Sequence, residues 1–201
     1  MHFPTYSQQT DSFLRSTGCH DYVRYASIAL AAKRIQAEGV DGAVAECGVW
    51  RGDLSEFLQH CLPERELYLF DTFEGFSHQN PEVRNNDARF RDTSAESVHR
   101  RLGNSPFCHI RKGFFPDTAQ GLESATFSLV MLDFDIYEAT RDALNFFYPL
   151  MPRGGYVFIH DCNSPEYDGA CRKAVAEFLY DKPELVLDMP DLWGTMYFRK
   201  L

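Results

Sequence analysis

The sequence Glu46-Cys47-Gly48-Val49-Trp50-Arg51-Gly52 closes an apolar run that begins at residue 43, and a helical stretch starts directly after it at Asp53. Glycine lets a backbone come close to a ligand, and the N-terminus of a helix presents free N–H groups. A strand, a glycine-containing turn and a helix in this order are typical of the first unit of a doubly wound α/β fold. Such a turn also occurs for purely structural reasons.

Strand-like and helix-like segments alternate along the chain. Short apolar runs that are typical of buried strands cover residues 43–49, 67–70, 107–112, 127–134, 156–160, 185–187 and 195–198. Helical periodicity covers residues 20–37, 53–61 with Asp53 as its cap, a stretch to Leu102 with Thr93 and Glu96 as a capping box, and residues 139–150 and 169–179.

This alternation predicts an α/β fold with a doubly wound, mostly parallel sheet and three α/β/α layers, as in Rossmann-like proteins. We expect a single domain over residues 1–201, with an N-terminal helical segment at 1–40 and a Rossmann-like core at 41–201. Residues 74–92 are polar, Asn-rich and without a steady period, which is typical of an ordinary long loop or of a lid over a site.

The composition excludes several classes of function. The net charge is −9, whereas a nucleic-acid surface needs clustered Lys and Arg, so we expect no nucleic-acid partner. No apolar run approaches the length of a membrane span, and we expect no membrane partner. The six cysteines show neither a CxxC pair nor zinc-finger spacing. A reduced, cytoplasmic protein is the prediction.

The glycine pattern favours S-adenosylmethionine (SAM) over a dinucleotide. A dinucleotide-binding turn reads GxGxxG, with the pyrophosphate at the helix start, whereas this chain reads ExGxxxG. SAM has no phosphate, so it does not need that geometry. Asp71 ends the next strand, 25 residues after Glu46, where a carboxylate can accept both ribose hydroxyls or cap the next turn. Phe73 and Phe76 are either core residues or the two sides of an adenine site.

Polar side chains follow two later strands at the points where we expect those strands to end. They are Asp133, Asp135, His160, Asp161 and Asn163. The carboxyl ends of parallel strands meet at one edge of a sheet, and polar groups placed there are costly to bury without a role. They indicate either a cation site with oxygen ligands or a general base beside an acceptor hydroxyl. Alternatively, they are caps of the following helices.

Six stretches of this chain resemble the macrocin O-methyltransferase family of class I, SAM-dependent methyltransferases. They occur in the order and spacing of that family: AECGVWRG at residues 45–52, LYLFDTFEGF at 67–76, KGFFPDT at 112–118, LDFDIYEAT at 132–140, MPRGGYVFIHD at 151–161 and CRKAVAEF at 171–178.

The resemblance implies a cofactor, a cation and a set of site residues. The expected SAM-binding residues are Glu46, Gly48, Trp50, Gly52, Asp71, Thr72, Phe73, Gly113, Phe114 and Asp133. Members of the family commonly bind Mg²⁺ and methylate a sugar hydroxyl of a natural product. The implied metal ligands are Asp133 and Asp161, with Asn163 as a further oxygen donor. Asp135 is the implied base and His160, which stands where the family has an aspartate, is a second candidate.

The predicted activity is therefore SAM-dependent O-methylation of a small molecule, with Mg²⁺ assisting. We expect the protein to act as a homo-oligomer. A base would remove the hydroxyl proton while the sulfonium methyl is transferred. Two alternatives stay open. One is an NAD-dependent oxidoreductase, which the missing glycine disfavours. The other is a catalytically degenerate SAM-binding protein, for which His160 is the supporting residue.

Overall fold

The structure, a computed structural model, describes residues 7–17, 20–76, 83 and 87–201. Within these ranges the helices are α1 (Gln8–Ser16), α2 (Tyr22–Ala37), α3 (Asp53–Cys61), α4 (Ala95–Arg101), α5 (Tyr137–Phe147) and α6 (Ala170–Leu179). The strands are β1 (Ala43–Cys47), β2 (Leu67–Asp71), β3 (Cys108–Lys112), β4 (Phe127–Leu132), β5 (Tyr156–Ile159), β6 (Leu187–Asp188) and β7 (Met196–Arg199).

The strands form one sheet in the order β3-β2-β1-β4-β5-β7-β6. Strands β1 to β5 pair in parallel, and β7 pairs antiparallel with both β5 and β6. Every residue of β4 is buried, because helices cover both faces of a parallel sheet. The order reverses between β1 and β4, so their carboxyl ends meet at the point where ligands bind in doubly wound folds.

Two apolar cores lie on opposite faces of the sheet. One contains Leu14, Ile28, Phe57 and Val98 from α1 to α4, packed against strand residues such as Leu69. The other packs α5 and α6 against alternate strand residues, including Ala45, Val130 and Val157. The predicted doubly wound, mostly parallel, three-layer α/β/α fold is confirmed.

Two predicted helix caps are wrong by one residue. The cap of α3 is Gly52, at φ +79°, and Asp53 is the first helical residue. The capping box of α4 joins Ser94 and Ser97, whose hydroxyls each accept from the other residue's backbone N–H, rather than Thr93 and Glu96. The Thr93 hydroxyl instead donates to the Trp50 carbonyl at 2.5 Å. Gly52 has no side chain that could mark it as a cap, and Thr93 offers a hydroxyl as suitable as that of Ser94.

Several predicted strands are too long at the carboxyl end. The run at 43–49 pairs only to Cys47, because Gly48 turns the chain at φ +85°. The run at 127–134 ends at Leu132. The short run at 185–187 is displaced instead, because it contributes only Leu187 to β6, which continues to Asp188, and Leu185 is exposed. In the first two cases apolar residues beyond the strand, such as Val49, are buried in the following turn, so hydrophobicity overestimates the strand length.

The structure also bears on the predictions about membrane helices, cysteines and the loop at 74–92. None of the helices within the described ranges has the length and apolar character that a membrane crossing requires. The five described cysteines are free thiols, and Cys19 lies outside the described residues. Of the predicted loop at 74–92, residues 77–82 and 84–86 also lie outside them. Gly75, Phe76, Val83, Arg89 and Phe90 from the rest of this segment line the cavity described below.

Candidate active site

A cavity of about 520 Å³ opens at the carboxyl ends of β1, β2, β4 and β5. This volume suits a cofactor or a drug-sized ligand. Ten of the predicted cofactor-binding and catalytic residues line it, together with the predicted metal ligand Asp161. The ten are Glu46, Gly48, Trp50, Asp71, Thr72, Gly113, Phe114, Asp133, Asp135 and His160.

Gly48 brings the end of β1 into direct contact with the end of β4. A Cβ atom at position 48 would lie 2.0 Å from the backbone oxygen of Asp133. The Asp133 N–H also donates to the Cys47 carbonyl at 2.8 Å. No other residue type fits so close an approach without moving backbone. Gly48 therefore fixes the spacing between the loop after β1 and the acidic residues after β4.

The Asp71 carboxylate shapes the loop after β1. Its Oδ2 accepts from the backbone N–H groups of Val49 at 2.7 Å and Trp50 at 2.8 Å. Its Oδ1 accepts from the N–H of Phe73 at 2.7 Å, so Asp71 also caps its own turn. A carboxylate has about four acceptor positions, which leaves one on Oδ1 for a ligand.

Glu46 is a buried carboxylate at the wall of the cavity. Its side chain is 2% exposed, and Ser55 Oγ donates to its Oε2 at 2.5 Å. Burial raises the pKa of Glu46 well above its ordinary value, although the Ser55 hydrogen bond opposes the shift. A buried carboxylate beside a cavity favours a cationic ligand group, because such a group would compensate its charge.

His160 lies between two carboxylates. Its Nδ1 is 3.0 Å from Asp133 Oδ1 and 3.1 Å from Asp161 Oδ2, and its Nε2 donates to the Leu192 carbonyl at 3.0 Å. Burial alone would lower the pKa of His160, but the charge and hydrogen bond of Asp133 and the hydrogen bond of Asp161 outweigh it and raise that pKa to about 10. The imidazole is therefore doubly protonated at neutral pH.

Arg24 reaches the same carboxylate from α2. Its Nη1 donates to Asp133 Oδ2 at 3.2 Å. Burial opposes ionisation of Asp133, yet the positive charges of His160 and Arg24 hold its pKa well below the usual range. Asp133 is thus an ionised carboxylate held between two protein cations.

Asp135 and Asp161 both have left-handed backbone, with φ of +64° and +59°. Such strain in non-glycine residues is concentrated at functional sites. Burial, together with the charges of Asp161 and Asp133, raises the pKa of Asp135 to about 8. Burial and the charge of Asp133 raise that of Asp161 to about 6, against the hydrogen bond from His160. The cavity therefore contains carboxylates of very different proton affinity.

The helix-cap alternative for these residues is wrong. The cap of α5 is Ile136, and no side chain caps that helix. The cap of α6 is Gly169, well beyond Asp161 and Asn163. The polar residues after β4 and β5 are therefore not explained by helix capping.

Aromatic side chains form the wall opposite the sheet. Trp50 contacts Phe90 edge to face, with ring centroids 5.6 Å apart, and Phe90 contacts Phe76 at 5.5 Å. The Arg89 guanidinium lies 5.1 Å from the Phe90 ring centre and pairs with Asp87 and Glu166. This segment thereby joins the loop after β1 to the loop after β5.

Three predicted site residues do not line the cavity. Gly52 packs against α4, where an added Cβ would meet Val98 at 3.0 Å. Phe73 is buried in the core at 5% exposure, which rules it out as one side of an adenine site with Phe76, although Phe76 does line the cavity. Asn163 is exposed, and its Oδ1 accepts from Arg172 Nη2 at 2.6 Å.

Sequence reasoning missed Arg24, Arg89 and Trp193, which all line the cavity. For Arg24 a signal existed, because it precedes Tyr25 and Ile28 on the buried stripe of α2. A lone arginine on an apolar helix face indicates a buried partner. Arg89 and Trp193 lie in irregular segments, where no periodicity marks the inward side.

The sheet order, the glycine turn after β1 and the acidic cavity define the fold as that of a class I, Rossmann-like methyltransferase. A model of the macrocin-O-methyltransferase (TylF) family matches residues 20–200, and the chain belongs to this family. The family predicted from the sequence motifs is thereby confirmed.

Curated relatives agree with this placement, and a solved structure shares the fold. The chain is 28% identical to the 8-demethyl-8-(2,3-dimethoxy-alpha-L-rhamnosyl)-tetracenomycin-C 4'-O-methyltransferase of Streptomyces olivaceus, over 77% of this chain and 64% of that protein. It is 29% identical to the mycinamicin III 3''-O-methyltransferase of Micromonospora griseorubida, over 70% of this chain and 61% of that one. The chain thus spans somewhat less than two thirds of the length of these relatives. The structure of the O-methyltransferase NovP superposes with a TM-score of 0.69 at 23% identity, over 88% of this chain and 79% of that chain.

Proposed function

We propose that this protein transfers the methyl group of SAM to a hydroxyl oxygen of a small, sugar-bearing natural product. The observation that carries the proposal is the meeting of Glu46, Asp71 and Asp135 in one cavity at the point where the strand order reverses. The family supports it, as do two relatives whose names describe O-methylation of a glycosylated natural product.

The donor side of the cavity is built from the ends of β1 and β2. The cationic groups of SAM would favour the ionised form of the buried Glu46, and the free acceptor position on Asp71 suits a ribose hydroxyl. Gly113 and Phe114, after β3, line the adjoining wall. SAM carries no phosphate, so the glycine-rich turn of a dinucleotide site is not required, and an NAD-dependent reaction is disfavoured.

The acceptor side lies at the ends of β4 and β5. The acceptor oxygen attacks the methyl carbon while the carbon–sulfur bond breaks, and sulfur leaves as a neutral thioether in S-adenosylhomocysteine. The hydroxyl proton must go to a base, and Asp135 is the carboxylate of this edge that is not paired with His160. Its raised pKa makes it a stronger proton acceptor than an ordinary aspartate. The aromatic wall formed by Trp50, Phe76 and Phe90 suits the apolar faces of a sugar ring.

The predicted Mg²⁺ site does not fit the residues as they are arranged. Potential ligand atoms of Asp133, His160 and Asp161 lie within 4.8 Å of one another. However, Mg²⁺ requires oxygen ligands, and the carboxylate oxygens that face the gap already accept from His160 and Arg24. Arg24 and His160 already neutralise the two carboxylates, so a dication would meet no net negative charge there. We therefore derive no step through a metal ion.

Two measurements test the proposed function. Isothermal titration with SAM and with NAD should give heat of binding for SAM alone. A radiolabelled methyl group of SAM should then appear on acceptors from a panel of glycosylated, hydroxylated natural products. Binding of NAD without binding of SAM would contradict the proposal. Binding of SAM without transfer to any hydroxyl would instead favour the degenerate SAM-binding protein.

A further inference from the structure

His160 cannot act as a metal ligand in the observed arrangement. The Leu192 carbonyl can only accept a hydrogen bond, so His160 Nε2 must carry a proton. Asp133 and Asp161 face the other ring nitrogen at 3.0 and 3.1 Å, and ionised carboxylates also only accept. Both ring nitrogens therefore donate, and neither has a lone pair for an ion.

Arg24 is held in place from two sides. Its Nη1 pairs with Asp133 at 3.2 Å, and its Nε lies 3.3 Å from Asp21 Oδ2. Asp21 also caps α2 by accepting from the Arg24 backbone N–H at 3.4 Å. The side chains of Arg24 and Asp21 are only 14% and 9% exposed. If the guanidinium moved away, Asp21 would lose its ion-pair partner and Asp133 would keep only His160, which is costly for carboxylates with so little access to solvent.

The two cations stand at the edge where the acceptor oxygen would react. Arg24 and His160 line the same cavity as Asp135. When a base removes the hydroxyl proton, negative charge develops on the acceptor oxygen, and a fixed guanidinium beside it stabilises that charge. A bound divalent cation would provide the same stabilisation.

We propose that Arg24 and His160 supply the positive charge that a divalent cation would otherwise supply, so that methyl transfer by this protein is independent of metal ions. The inference rests on the proposed function. The oxygen–carbon bond forms as the carbon–sulfur bond breaks, and the hydroxyl proton passes to Asp135. Arg24 and His160 keep their protons throughout. Arg24 is a catalytic residue in this scheme, and His160 is a positioning residue that acts through Asp133.

Binding of Mn²⁺ tests the proposal without an acceptor. Electron paramagnetic resonance detects free Mn²⁺, whose signal falls when the ion binds to protein. We expect the full chain to leave the signal unchanged. Stoichiometric Mn²⁺ binding that Asp133→Asn abolishes would overturn the proposal, because the ion would then share the carboxylate with the two cations.

We expect Mn²⁺ to bind more tightly when the positive charges of Arg24 and His160 are removed. His160→Asp replaces the imidazolium with a third carboxylate, and together with Arg24→Gln it should bind Mn²⁺ at least about tenfold more tightly than wild type. The matched control is His99→Asp on α4, which makes the same change away from the cavity. If the folded double variant bound Mn²⁺ no better than this control, the two cations would not be what excludes the ion.

Activity separates this inference from the proposed function. Turnover in excess EDTA should equal turnover in excess Mg²⁺. Arg24→Gln should lower kcat, whereas Arg24→Lys, which keeps the positive charge, should retain most of the wild-type kcat. His160→Gln should alter the pH profile of kcat, whereas loss of folding alone would reduce turnover at every pH. Loss of turnover in EDTA, with SAM binding intact by titration, would overturn metal independence. Absence of SAM binding would instead overturn the proposed function.

Discussion

A Cβ atom on Gly48 would come within 2.0 Å of the Asp133 backbone oxygen, so the ends of β1 and β4 are in contact through a position that only glycine can occupy. Gly48→Ala should therefore destabilise the fold by about 2–5 kcal/mol, the sum of left-handed backbone strain and a backbone clash. Urea unfolding followed by circular dichroism measures the change.

The matched control for this prediction is Gly103→Ala. Gly103 has the same left-handed backbone, at φ +65°, but an added Cβ would meet nothing within 4 Å. Gly103→Ala should therefore be destabilised by the backbone strain alone, about 1–2 kcal/mol. Equal losses at the two positions would show that the contact between Gly48 and Asp133 is not the cause.

Asp71→Asn should weaken both the fold and SAM binding. The carboxylate accepts from three backbone N–H groups, whereas an amide has one oxygen and would turn an NH₂ group towards at least one of them. The unpaired N–H should cost about 1–3 kcal/mol of unfolding free energy. Asp181→Asn, the same change on an exposed side chain, is the control. If SAM affinity were unchanged, Asp71 would serve only the turn.

Glu46→Gln should change how stability depends on pH. Burial raises the pKa of Glu46 in the folded chain. The unfolded chain releases this proton at the ordinary glutamate pKa of about 4.3, whereas the folded protein still holds it at that pH. This contribution to stability is complete below that pH and is lost as pH rises through the higher, folded pKa. Glu46→Gln stays neutral, so it should become progressively more stable than wild type as pH increases.

Urea unfolding at a series of pH values measures this difference, with Glu64→Gln on an exposed side chain as the control. Because SAM is cationic, its binding should favour ionised Glu46 and release a proton. Titrations in buffers of different ionisation enthalpy detect that proton. If the unfolding free energy of wild type and Glu46→Gln changed in parallel with pH, burial would not be raising the pKa of Glu46.

Asp135→Asn should keep SAM binding and lose turnover. Removal of a general base typically costs about 10²–10⁴-fold in rate, while the donor half of the cavity does not depend on this side chain. The measurements are SAM affinity by titration and kcat with an acceptor that the wild type methylates. Asp181→Asn again serves as control. Normal turnover by Asp135→Asn would assign the proton to another group.

Much of the fold was readable from the sequence, because β1, β2, β4 and β5 are largely buried on both faces and appear as mainly apolar runs. The antiparallel pairing of β7 was not readable, since a strand's direction depends on the connection before it. Caps were misplaced by one residue where neighbouring serine, threonine and aspartate side chains were equally suitable, as at Ser94.

The candidate site was readable only in part. Residues that directly follow strands, such as Asp133 and Asp135, have positions dictated by sheet geometry. The orientation of Phe73 into the core follows from its left-handed backbone at φ +54°, and that of Asn163 follows from its contact with Arg172. Both depend on parts of the chain that sequence patterns do not connect. Arg24 joins the site from 109 positions away.

The two sides of the cavity differ in how they are constructed. Around Gly48 and Asp71 the walls are joined by main-chain atoms and by a carboxylate bound to main-chain atoms, so substitutions there disturb the sheet itself. Around Phe90 and Arg89 the contacts with the loops after β1 and β5 are made by side chains on irregular segments. Substitutions in that half reshape the cavity without altering strand spacing. We therefore expect substitutions in that half to change which recipient molecule fits, while the methyl-donor half stays the same.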